Sequence, residues 1–293
     1  MSHLLLGVNV PTSAGPESDP VAAGRQAEQL GFDFVSASDH PHGTQPTHET
    51  WTMLSWIAAA TSRIKVATRV LGVPFRPPAM LAKMAATLDN LSDGRLILGL
   101  GGGYSDEEFR AFGLRVPTPK EKVEGLEEAV MIARGLWSQP GFTFNGRQFH
   151  TEAADVEPKP PHRIPIWLGT FGPRALAVTG RVADGWIPSF DMAPPEQVPE
   201  MRDRIFAAAR AVGRDPDEIT LAYNIEIRIN GRGSSDPGVI SGSPDSIVDR
   251  LLSLVPLGFT AMNFKPTGGD GREQVERLGR EILPALRAGA DSV

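Results

Sequence analysis

The sequence predicts an α/β fold, a closed (β/α)8 TIM barrel with a hairpin insertion before strand five. Three observations carry that prediction. Short apolar runs alternate with amphipathic stretches along the whole chain, as βα units winding a parallel sheet do. Eight such apolar runs can be counted, the number that closes a barrel. The 293 residues suit one large barrel, since α/β barrels run to about 250 residues or more as one unit. Residues 1–293 are therefore read as a single domain.

In chain order, strand one is predicted at residues 4–10 and a helix at 20–30, which Gly31 ends as a C-cap. Strand two (32–38) leads to a helix over 50–61 with apolar spacing on one face. Strand three (64–71) precedes a helix over 78–91, and strand four (95–101) a helix over 120–137. Strands five (164–169), six (185–189), seven (219–230) and eight (260–265) precede helices over 173–182, 195–212, 244–254 and 272–286. Pro173 and Pro244 suit a first helical turn, where no N–H is lost, and Ser243 is a plausible N-cap.

Two stretches interrupt the alternation. Residues 142–149 alternate around Asn145-Gly146, a pair that favours a type I′ turn, and predict an inserted hairpin. Residues 231–238, rich in Gly and Ser, predict a mobile loop over the barrel mouth, a candidate lid.

The formal net charge of -6 supplies no broad basic field, so nucleic acid is not an expected partner. With no cysteine, disulfides, thiolate nucleophiles and sulfur-ligated zinc are excluded. The first residues lack a charged segment followed by a long apolar one, and no run of about 18 apolar residues occurs, so export and membrane spanning are not expected. A cytoplasmic protein acting on a small-molecule substrate is the expectation.

In such barrels chemistry sits where strands end and βα loops begin. Strand two ends in Ser38-Asp39-His40, a carboxylate beside an imidazole able to carry a proton near neutral pH. A second reading stays open, in which Asp39 caps the next segment and His40 packs beneath a loop. His40-Pro41-His42 imitates a metal pair, but His3, His48, His150 and His162 do not fall at later strand ends, so no metal is expected. Lys265 ends strand eight and reads as an anion-binding or surface lysine.

Strand four ends in Gly101-Gly102-Gly103-Tyr104, and its glycines fit either close approach of a ligand or a sterically tight corner. Strand five ends in Gly169-Thr170-Phe171-Gly172 before Pro173, so the N–H groups of Phe171 and Gly172 form a candidate anion site, with the Thr170 hydroxyl a further donor. Phe75, Trp167, Trp186 and Phe190 are read as core residues. Asn9 and Tyr104 are pocket candidates.

Three stretches of these residues resemble the luciferase-like monooxygenase family, and more closely its branch that uses coenzyme F420. They are Ser38-Asp39-His40; Phe75-Arg76-Pro77-Pro78-Ala79 through Leu88-Asp89-Asn90-Leu91-Ser92-Asp93-Gly94-Arg95-Leu96; and Pro165-Ile166-Trp167-Leu168-Gly169 through Gly180-Arg181-Val182-Ala183-Asp184-Gly185-Trp186. The resemblance covers nearly the whole chain. It implies that Asp39 binds the deazaflavin ring system and that His40 transfers a proton or orients substrate. It implies a non-proline cis peptide, Arg69–Val70, whose bulge supports the ring from behind. It also implies that backbone around Gly102, Gly103, Phe171 and Gly172 receives the cofactor phosphate, and that the protein is a homodimer.

Two departures bear on substrate. Sugar-phosphate dehydrogenases of this family carry a glutamate just after the strand-four glycines, where this chain has Tyr104, and a tryptophan shortly after the Asp-His pair, where it runs Pro41-His42-Gly43-Thr44. Sugar-phosphate oxidation is therefore not expected. The resemblance implies hydride transfer between coenzyme F420 and a small organic substrate. The alternatives are an FMN-dependent monooxygenase using molecular oxygen and a catalytically silent flavin-binding protein.

Overall fold

A computed structural model describes residues 4–229 and 238–290. Eight parallel strands alternate with helices: β1 (Leu5–Asn9), α1 (Pro20–Gln29), β2 (Phe34–Ala37), α2 (Thr50–Ala60), β3 (Lys65–Thr68), α3 (Pro78–Ser92), β4 (Leu96–Gly101), α4 (Pro119–Ser138), β5 (Ile166–Leu168), α5 (Pro173–Val182), β6 (Gly185–Trp186), α6 (Val198–Ala211), β7 (Thr220–Ile229), α7 (Pro244–Leu252) and β8 (Ala261–Pro266). The chain ends in α8 (Gly271–Arg277), a π-helical turn (Leu278–Ile282) and α9 (Leu283–Ala290). Each strand pairs with the next, β7 pairs with β8, and β8 with β1, so the sheet closes on itself as the apolar count predicted.

Side chains alternate across each strand, and the inward set changes character with height. Toward the bottom Phe34, Ala67, Ile97, Trp167, Ala222 and Ala261 form a separate apolar cluster, with Phe34 and Trp167 meeting edge to face at 5.8 Å. Burying a side chain the size of Phe34 or Ile97 contributes about 1.5–3 kcal/mol. Gly7 on β1 is required there, because a Cβ would lie 2.2 Å from the Phe34 ring. Two residues further along β2, β7 and β8 the inward positions become polar: Ser36 Oγ donates to Asn263 Oδ1 at 2.9 Å, and Asn263 Nδ2 to Asn224 Oδ1 at 2.9 Å. A second, larger cluster lies between the sheet and the ring of helices.

Strand ends differ from the sequence reading for physical reasons. β3 ends at Thr68, the peptide Arg69–Val70 beyond it is cis, and the chain pairs with β4 again at Leu71–Gly72. β6 is two residues long because Pro188 has no N–H to continue the ladder, which resumes as a single bridge between Ser189 and Asn224. The hairpin insertion forms, from Phe142–Asn145 and His150–Ala154, but without a two-residue type I′ turn. Its loop is wider because Glu128 of α4 accepts the N–H groups of Arg147, Gln148 and Phe149 at 2.7–2.9 Å. A short strand, Val239–Gly242, extends the sheet beside β7 and was not anticipated. The predicted lid at 231–238 lies outside the described residues except for Gly238.

Candidate active site

A cavity of about 1060 Å³ opens at the carboxyl ends of the strands. One wall is built around the cis peptide. Val70 presses against β4 and β5, where a Cβ on Gly101 would lie 2.7 Å, and one on Gly169 3.1 Å, from its Cγ2. Those glycines therefore serve the packing of the bulge. Gly103 serves another contact: its φ is +87°, a conformation L side chains avoid, and a Cβ would lie 2.3 Å from Phe109 Cζ. The glycine run thus lets the short helix Asp106–Ala111 sit down on the end of β4, with Phe109 fully buried against Phe75 at a ring separation of 4.9 Å.

That helix carries the carboxylate the sequence reading missed. Ser105 caps it, accepting the Glu108 N–H at 3.4 Å, and Lys122 ties it down through Asp106 at 2.7 Å. Glu108 is buried in the wall, and its Oε1 lies 3.0 Å from His40 Nδ1. The His40 side chain is 55% exposed and faces the cavity, with its other ring nitrogen unpaired among the described residues. Tyr104, which stands where sugar-phosphate dehydrogenases of the family carry a glutamate, is 85% exposed at the rim, and the carboxylate that meets His40 comes four residues later. The capping pattern Ser105-Asp106-Glu107-Glu108 was the signal that could have found it.

Asp39 is buried and fully engaged. Its Oδ2 accepts from Arg76 Nη1 at 2.8 Å and from the Gly72 N–H at 3.1 Å, and its Oδ1 from Arg76 Nη2 at 3.0 Å. Arg76 also pairs with Glu49, the N-cap of α2. Burial pushes the Arg76 pKa down, but the hydrogen bonds and charge of Asp39, then those of Glu49, together outweigh it and hold the cation above its usual range. The clamp joins the ends of β2, β3 and α2 and fixes the backbone that presents His40. The capping reading for Asp39 fails, since its partners are Arg76 and the chain after the cis peptide.

Of the other candidates, Arg69, Val70, Gly102, Gly103, Phe171 and Lys265 line the cavity, while Gly172 sits outside its lining. No side chain caps the start of α5 at Gly172. Thr170 is not a ligand donor: its hydroxyl is buried against Thr179 at 2.7 Å. Lys265 pairs with Glu226 at 2.6 Å. Trp167 and Trp186 are core residues, as expected, whereas Phe75 and Phe190 also line the cavity. His162 pairs with Asp89 at 3.2 Å and stays clear of the mouth. Among the described residues no group of three or more His, Asp or Glu could hold a metal ion.

Residues 3–230 match the family described as luciferase-like monooxygenase. The chain is 29% identical to an F420-dependent glucose-6-phosphate dehydrogenase of Nakamurella multipartita, over 89% of this chain and 90% of that protein. It is 30% identical to one from Beutenbergia cavernae, over 89% and 91%. Among solved structures, an F420-dependent secondary alcohol dehydrogenase in complex with an F420-acetone adduct superposes with a TM-score of 0.85 at 20% identity, over 98% of this chain and 99% of that one. That likeness speaks for the fold.

Proposed function

This chain belongs to the luciferase-like monooxygenase family, and from that premise we propose that it is an F420-dependent oxidoreductase whose substrate binds at the barrel mouth. The reading rests on one observation above all: the His40–Glu108 pair faces the same cavity as the Val70 bulge. Relatives named as F420-dependent along nearly their whole length support the choice of cofactor.

The cavity fits a planar ring. Val70 offers a flat apolar support, and the glycines at 101 and 169 keep side chains off the same wall. Backbone at Gly102, Gly103, Phe171 and the uncapped start of α5 at Gly172 would receive the phosphate, since free helical N–H groups favour an anion. Bound there, F420 would supply or accept the hydride. The residues of the chain manage the proton. Glu108 accepts the Nδ1–H of His40, which fixes the tautomer and leaves the Nε2 lone pair toward the cavity. When an alcohol is oxidised, Nε2 takes the hydroxyl proton as the C–H bond gives up its hydride; in the reverse direction the imidazolium returns it. Asp39 acts one step back, locking through Arg76 the loop that carries His40.

We propose further that two copies pair through α2 and α3, where Trp56 and Met80 stand exposed on neighbouring helices; light scattering of the eluted protein checks this. The cofactor assignment is tested by titrating apo-protein with F420 and with FMN. F420 is expected to bind at least about tenfold more tightly, a difference of about 1.4 kcal/mol. Tight FMN binding without a response to F420 would turn the assignment toward the oxygen-using reading.

A further inference from the structure

Building on the hydride-transfer reading above, we propose that the Arg69 side chain is an anion anchor in the cavity, so that the substrate carries a carboxylate or phosphate beside its reacting carbon. Arg69 lies two residues beyond the inward-facing Ala67 of β3, so its side chain crosses the top of the barrel while its backbone forms the cis bulge. Its Nε donates to Asn9 Oδ1 at the end of β1, at 3.3 Å. Among the described residues that is the only hydrogen bond its side chain makes. A guanidinium carries five N–H donors in a planar fork, and here the four on Nη1 and Nη2 meet no partner among the described residues and are left for the cavity.

The surrounding carboxylates do not satisfy it. Glu226 gives Oε1 to Lys265 at 2.6 Å. Asp191 is exposed on the loop after β6 and makes no hydrogen bond to Arg69 among the described residues. Both attract the cation from a distance, yet burial still presses the Arg69 pKa below its ordinary range. Arg76 shows the contrast: it holds Asp39 bidentately and Glu49 as well. A desolvated cation without a close counter-ion is costly, and a planar fork open to a cavity is the geometry that takes two oxygens of one oxyanion side by side. The backbone of Arg69 thus serves the ring and its side chain the substrate.

The test is calorimetric titration of apo-protein with inorganic phosphate and, separately, acetate, at constant ionic strength, alongside F420 binding followed by fluorescence. Wild-type protein is expected to bind one or both anions at the Arg69 fork, and Arg69→Met to lose about tenfold or more of that affinity, while any phosphate taken up by the backbone near Gly103 and Gly172, and F420 itself, bind as in the wild type. Arg69→Lys keeps the charge without the fork and is expected to fall between, which covers the case in which the methionine variant does not fold. Phosphate alone, or acetate alone, assigns the source of the oxyanion. Anion binding absent from the wild type, or equal in wild type and variants, overturns the proposal. So does loss of F420 binding with anion binding intact, which would give the fork to the cofactor. If anions bind through Arg69 but F420 does not bind, the anchor stands and the hydride-transfer reading falls.

Discussion

Replacing Arg76 by methionine is the most informative perturbation of the site's frame. The Asp39 side chain is 1% exposed, so water cannot take over the two contacts it loses, and only the Gly72 N–H remains. Removing one partner of such a buried pair costs about 3–5 kcal/mol. Glu49, the other partner, is 44% exposed and adds little. At about 2–4 °C per kcal/mol for a large domain, the thermal midpoint should drop by roughly 6–20 °C. Asp39→Asn in the same chain should recover part of the loss, because no buried charge is then left unpaired, with a coupling of about 1–3 kcal/mol. Thermal and urea unfolding of the two single variants, the double variant and the wild type close the cycle. An Arg76→Met protein within about 1 kcal/mol of wild type would refute the clamp.

Three further outcomes are expected. Gly103→Ala forces a side chain into a left-handed position against Phe109, so it should displace the short helix with Glu108 and lower kcat more than it raises KM, read by steady-state kinetics once a substrate is in hand. Glu108→Gln should leave F420 affinity within about threefold while kcat falls by about 100-fold or more, because His40, the proton carrier, loses the partner that sets its tautomer. Glu121, held to about 2 by Arg115 and the Thr118 N–H against a usual 4.5, stabilises the fold above about pH 4.5 and loses that contribution as pH falls toward 2. Glu121→Gln should therefore flatten the urea midpoint across that acid window and leave its slope above pH 5 unchanged.

The barrel was legible because its signals are local and repeated: eight buried runs, prolines at helix starts and glycines at their ends. The Asp39–His40 pair was legible because it stands at a strand end. What the pairs do was not. The partners of Asp39 and His40, Arg76 and Glu108, lie 37 and 68 residues away and meet them only through the closed sheet. The strand-four glycines offered two readings, and Val70 and Phe109 favour the steric one for Gly101 and Gly103. The type I′ turn failed because a carboxylate from another helix competes for the hairpin's N–H groups, a tertiary contact that local turn preference does not contain. The cis bond came from family resemblance alone.

A crystal structure with F420 bound tests the central claim most directly. It should show the ring lying on Val70, the phosphate within hydrogen-bonding distance of the backbone near Gly103 or Gly172, and His40 turned toward the ring face with Glu108 still at its Nδ1. Density for the ring outside the barrel mouth, or His40 swung into solvent away from Glu108, would contradict it.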